Sequence, residues 1–226
     1  MEDIRKKSPL ELDKLSIYTK PEKAEDRSAR LIWSLVFNNP RITIFTNKKE
    51  LTNKENDWGR ITARLDPMIA FSILNQLADL VNKPNGTRFL IKNINYPVID
   101  GKRAETPEHV NDVIIGKDQE GVIWLSIKEE GKPNIKFNIT FSDYHEIVNG
   151  DGTPLTIEEA SKLATIAYTS ILKRMLIQSY YLPEQLEILN TTPEDRKTKY
   201  NTKGSYQRNV NKPSPTAATT ADDFPF

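Results

Sequence analysis

Residues 60–65, Arg-Ile-Thr-Ala-Arg-Leu, alternate strictly between basic or polar and apolar side chains, and the alternation stops at Asp66-Pro67. Period two is the signature of a strand with one buried face. Asp followed by Pro is a helix start, because the carboxylate accepts from free backbone N–H groups and proline suits the first helical position. Ala70, Ile73, Leu74, Leu77 and Val81 then recur at spacings of three and four, which predicts a helix running to about Asn82 and ended by Lys83-Pro84-Asn85-Gly86. A switch from period two to period 3.6 at a defined residue admits few folds, and the chain makes it twice. Upstream, residues 15–20, 30–37 and 41–46 read as strands, the last two joined at Asn38-Asn39-Pro40. Downstream, strands are predicted over 87–93, 110–115, 122–128 and 134–141, with a turn at Gly131. A second helix follows from Thr156, whose spacing to Glu159 is that of a capping box. Ile157, Ala160, Ala164, Ala167, Tyr168, Ile171, Leu172, Met175 and Ser179 are its expected buried face, and Pro183 its end.

The predicted fold class is therefore α+β: two four-stranded antiparallel sheets, each followed by a helix, forming one domain over residues 14–190. Residues 1–13 are a charged, aperiodic and flexible N-terminus. Residues 191–226 show no core-forming pattern and read as a disordered linker. The element order resembles the Whirly-type fold, a family of single-stranded nucleic-acid binders with two four-stranded sheets, each followed by a helix. The likeness lies in element order over roughly residues 14–180, with no family motif residue shared specifically. An elaborated OB-fold is the alternative.

The parity opposite the apolar one collects Tyr18, Lys20, Arg30, Arg41, Phe45, Arg60, Arg64, Arg88, Lys92, Trp124, Lys128 and Lys136. Outside the 110–115 strand, no Asp or Glu shares that parity, although the chain holds 31 acids. Lysine and arginine neutralise phosphates, and aromatic faces stack on bases whatever the sequence. Tyr18, Phe45 and Trp124 are the expected stacking platforms; Arg60, Arg64, Arg88, Lys92 and Lys128 are expected to meet phosphates. The competing reading is an ordinary solubilising strand face, with Phe45 and Trp124 covered by helices. Trp33 is assigned to the core.

Other chemistry finds little support. There is no GxGxxG or GxxxxGK[ST] loop, so no nucleotide cofactor is expected, and no Cys, so no thiolate chemistry. His109 and His145 lack the companions of a zinc site, and Asp143, His145, Asn149 and Asp151 lack EF-hand spacing. No catalytic residue, cofactor or metal is expected. No run is long enough to span a membrane, and residues 1–7 lack a signal peptide's apolar stretch. A cytoplasmic protein is expected. Strand edges leave a homo-oligomer open, and no coiled-coil seam shows.

Net charge is +1, but six bases stand against two acids over residues 196–226, leaving 26 bases against 29 acids elsewhere. The sequence closes on Asp222, Asp223, Phe224, Pro225 and Phe226. Two carboxylates, a rigid proline and two phenyl rings suit a basic, apolar pocket on another protein. This stretch resembles the acidic tip of bacterial single-stranded DNA-binding proteins, which implies recruitment of replication, recombination or repair partners. The expected function is non-sequence-specific binding of single-stranded DNA, as in a phage-encoded protein acting in its host's cytoplasm. An RNA binder of similar fold and a protein-interaction adaptor are the alternatives.

Overall fold

The computed structural model describes residue 10 and residues 15–21, 27–36, 39–49, 58–99 and 102–180, all within the compact unit Met1–Leu189. The tip and the segment before it lie outside these residues. The first sheet is an antiparallel meander in the order β1 (Ile17–Tyr18), β2 (Arg30–Val36), β3 (Asn39–Lys49), β4 (Trp58–Arg64). Its inward parity carries Leu31, Trp33, Leu35, Ile42, Ile44, Ile61 and Ala63, all buried. Each large apolar side chain among them contributes about 1.5–3 kcal/mol on leaving water. The strand predicted over 15–20 shortens to two residues, and Trp58, expected in a loop, opens β4.

Helix α1 (Pro67–Asp79) starts where the sequence predicts. Asp66 Oδ1 accepts from the Ile69 N–H at 2.9 Å, and Pro67 occupies the first turn. Ala70, Ile73, Leu74 and Leu77 are buried, and a 3-10 turn, Leu80–Asn82, completes it.

The second sheet begins with β5 (Arg88–Asn95). A two-stranded hairpin, β6 (Val98–Ile99) and β7 (Lys102–Arg103), then lies inside what reads from sequence as a polar connection. β8 (Glu108–Lys117) is longer than predicted, β9 (Ile123–Lys128) pairs with it, and β10 (Phe137–Asn138) is much shorter than predicted. The order is β10-β9-β8-β5, all antiparallel. Two separate four-stranded sheets, each followed by a helix, are the predicted architecture; the OB-fold alternative requires a single closing barrel.

Among the described residues the sheets approach each other at two places. β1 lies against β10, and β4 approaches β8 and β9. At the second junction the fully buried Asn111 donates to the Thr62 carbonyl at 3.1 Å and accepts from Asn93 Nδ2 at 2.8 Å. It thereby satisfies a carbonyl that a burying edge strand would otherwise leave unpaired.

Helix α2 (Ile157–Tyr180) has the predicted capping box: Glu159 Oε2 accepts from the Thr156 N–H at 2.9 Å, and Thr156 Oγ1 from the Glu159 N–H at 3.3 Å. Its buried face differs from the prediction. Ala164, Leu172 and Ser179 are buried as expected, but so are Ser161, Thr165, Thr169 and Leu176, while Ile157, Ala167 and Ile171 are exposed. Ser161 is the reason. Its hydroxyl accepts from the Ile123 N–H at 2.9 Å and donates to the Ile139 carbonyl at 2.8 Å, so this face of the helix is hydrogen-bonded to the second sheet. Lys117, only 4% exposed, anchors the same end through Glu158 Oε1 at 3.1 Å and the Lys83 carbonyl at 3.1 Å.

Candidate nucleic-acid interface

The register of the first sheet sets its outward side chains in rows. Tyr18 pairs with Arg30, Arg30 with Phe45 and Phe45 with Arg60. Aromatic and basic side chains thus alternate across four strands, over about 14 Å at ordinary strand spacing. Tyr18 is 50% exposed, and the Arg30 guanidinium lies 5.8 Å from its ring centroid while its Nε donates to Ser16 Oγ at 3.0 Å. Phe45 is half-buried and Arg60 exposed. Four residues along the strands, Arg41 stands directly opposite Arg64. Arg41 is half-buried and Arg64 exposed, so the two cations stand in register on neighbouring strands. Among the described residues neither Arg60 nor Arg64 has an ion-pair partner. The face is not open throughout: Ser34 and Thr43 are buried, and Thr43 and Thr62 share a hydroxyl hydrogen bond of 3.2 Å.

The second sheet presents a row of Arg88, Gly116, Trp124 and Asn138. Gly116 has a physical role here. A Cβ at that position would stand 2.8 Å from Trp124 Cζ2 and 2.9 Å from Cε2, so only glycine lets the indole settle onto the sheet. Trp124 is half-buried, with Lys136 Nζ at 5.5 Å from its ring. A second row places Lys92 and Lys128 on either side of Asp112. Asp112, supplied by β8, is thus an acid on this otherwise basic side, and its Oδ1 is 2.8 Å from His109 Nε2. Leu90 and Ile94 are also exposed, so β5 displays basic and aliphatic side chains in alternation. Between the two rows Ser126 is buried and bonded to Asn134 Oδ1 at 2.6 Å, so the turn after β9 covers the middle of this sheet.

Because β1 abuts β10, the two rows run toward each other across an open cleft of about 950 Å³ lined by Tyr18, Lys20, Lys136, Asn138 and Tyr144. Lys20 pairs here with Asp143 at 3.2 Å, and Lys136 with Asp118 at 2.6 Å, so both of these lysines have local counter-charges. Tyr144, 91% exposed, is a candidate the strand pattern misses because it sits in a turn with no periodicity. Arg103 stacks on Tyr96 at 4.0 Å beside the β6–β7 hairpin and is equally invisible to parity. Among the described residues there is no cluster of metal-ligating side chains, and no helix is long and apolar enough to cross a membrane.

No family model matches the chain, and no curated protein matches it in sequence. Among solved structures it is similar to the MRP1/MRP2 proteins of Trypanosoma brucei at 9% identity and a TM-score of 0.36, over 74% of this chain and 83% of that one.

Proposed function

We propose that this protein binds single-stranded DNA without sequence preference, through the outward faces of its two sheets, and that it is not an enzyme. The observation that carries the reading is the row Tyr18–Arg30–Phe45–Arg60 with the Arg41/Arg64 pair beside it. Alternating rings and cations suit a polymer that offers bases and phosphates in turn. Double-helical DNA hides its base faces, so stacking groups favour single strands. The strand path suggested by the geometry runs from Arg60 to Tyr18, across the cleft, and on to Trp124 and Arg88.

In this reading the protein coats single strands during replication, recombination or repair, in the cytoplasm of a bacterial host if it is phage-encoded. Asp222, Asp223, Phe224, Pro225 and Phe226 recruit partner proteins. With two acids only, recruitment rests on the rings more than on charge.

The test is a titration with single-stranded and duplex oligonucleotides, following tryptophan quenching at two salt concentrations, with matched RNA as competitor. The expected result is preference for the single strand over duplex and RNA. With about four to six phosphates neutralised, log K should fall against log salt with a slope of about −3 to −4. Salt-insensitive binding, or none, overturns the proposal, and RNA winning the competition replaces DNA with RNA as the ligand. Deleting residues 224–226 should leave DNA binding equal or tighter while abolishing partner capture.

A further inference from the structure

Helix α2 carries large apolar side chains on both of its sides. Its buried side mixes Ala164, Leu172 and Leu176 with Ser161, Thr165, Thr169 and Ser179, while Leu163, Ile166, Ile171 and Ile177 are 45%, 47%, 46% and 48% exposed. The exposed face is completed by Ala167, Ser170, Arg174 and, near its N-terminal end, Glu159. Four large aliphatic side chains on one face of a surface helix mark a contact surface rather than chance exposure.

The order of residues along that face identifies what fits it. About a point between Ile166 and Ala167 the face is complementary to itself when reversed. Ile166 meets Ala167, Leu163 meets Ser170, and Glu159 meets Arg174. Leu163 and Ile166 each face a small side chain and Glu159 faces Arg174, while Ile171 and Ile177 fall toward Lys162 and Thr156 at the flanks of the contact. A parallel arrangement would instead set Arg174 against Arg174 and Glu159 against Glu159. Antiparallel pairing also opposes the two helix dipoles. Among the described residues Arg174 has no ion-pair partner within its own chain.

We infer that the exposed face of α2 is a twofold homodimer surface, on which a second copy of this chain docks through its own α2, antiparallel, with the axis passing between Ile166 and Ala167. Both Glu159–Arg174 contacts are then formed, one on each side of the axis, as isologous symmetry requires. A 24-residue helix is about 36 Å long, so a single helix pair buries less than a standard interface. The dimer is therefore reversible, dissociating in roughly the micromolar range.

The chain has no cysteine, which allows a register-specific test on the full-length protein. Ala167→Cys places two thiols beside the axis, within disulfide reach. Ile177→Cys places them about 30 Å apart along the paired helices. Under mild oxidation Ala167→Cys should yield a cross-linked dimer and Ile177→Cys should not. Sedimentation of the unmodified chain from about 1 to about 200 μM should show a monomer–dimer equilibrium. Leu163→Asp, at an exposed position and checked for folding by circular dichroism, should raise its dissociation constant at least about tenfold. A monomer throughout that range overturns the inference. So does a dimer indifferent to Leu163→Asp, or preferential cross-linking through Ile177→Cys.

Discussion

Trp124→Ala tests the proposed interface most directly. The indole is half-buried on the outward side of the second sheet, over Gly116, and lies outside the main core. Its removal should therefore cost little stability and expose no unpaired polar group. If Trp124 stacks on a base, its loss costs about 1–3 kcal/mol of binding. That is a rise in Kd of about 5- to 150-fold. The charge complement is unchanged, because Lys136 keeps Asp118 at 2.6 Å, so the slope of log K against log salt should stay as in the parent protein. Fluorescence anisotropy with a labelled single-stranded oligonucleotide at three salt concentrations measures both quantities. Trp124→Phe keeps a ring and should recover most of the loss. Gly116→Ala should imitate Trp124→Ala in part, since its Cβ would displace the indole. A Trp124→Ala protein that binds within twofold of the parent refutes the stacking role. A slope that falls by about one unit shows that the substitution has disturbed the cations instead.

Replacing Arg60 and Arg64 together by Ala should do the converse, reducing the salt slope by about 1.4 at about 0.7 per phosphate contact on a single strand, read from the same titrations. Ser161→Ala removes the bridge between the Ile123 N–H and the Ile139 carbonyl, both buried, and should lower unfolding free energy by about 1–3 kcal/mol in urea denaturation. Glu158 is held below its ordinary value of 4.5 by hydrogen bonds from Lys162 and then Lys117. Its contribution to stability is fully present above pH 4.5 and fades as pH falls through the lower folded value. Glu158→Gln should thus be less stable than the parent at neutral pH, and the gap should close in acid, as followed by thermal unfolding against pH.

Where local pattern and local hydrogen bonding coincide, the fold was legible. The Asp66 cap and the Thr156–Glu159 box fall where the residue types require, and the inward parity of β2, β3, β4 and β9 is the buried one. Parity also anticipated which side chains share the outward face, but not their rows, because register is decided by pairing between strands distant in sequence. Asp112 is an instance. It lies between Lys92 and Lys128 only because β5 and β9 flank β8 in one particular register. The rotation of α2 was illegible for a different reason. A hydropathy pattern weighs Ile above Ser, yet Ser161 alone has the short hydroxyl that joins two backbone groups of the second sheet. Lys117 with Glu158 likewise has no local signal, since ion and counter-ion belong to a strand and a helix far apart in the chain.

That rotation has a functional consequence if both proposals hold. The Ser161 side of α2 is bonded to the second sheet, so the Leu163–Ile177 side faces away from it. Pairing through α2 then leaves Trp124 and Arg88, on the other face of that sheet, uncovered in both copies. A strand long enough to reach both copies binds the second at high effective concentration. By linkage, the same strand must promote dimerisation by the factor that dimerisation improves its binding. A long oligonucleotide should therefore bind more tightly per site than one covering a single domain, and Leu163→Asp should erase that advantage while leaving the short oligonucleotide's Kd unchanged. Equal loss for short and long strands would place Leu163 in the DNA interface. An advantage that survives Leu163→Asp would show that copies on one strand meet through some other surface.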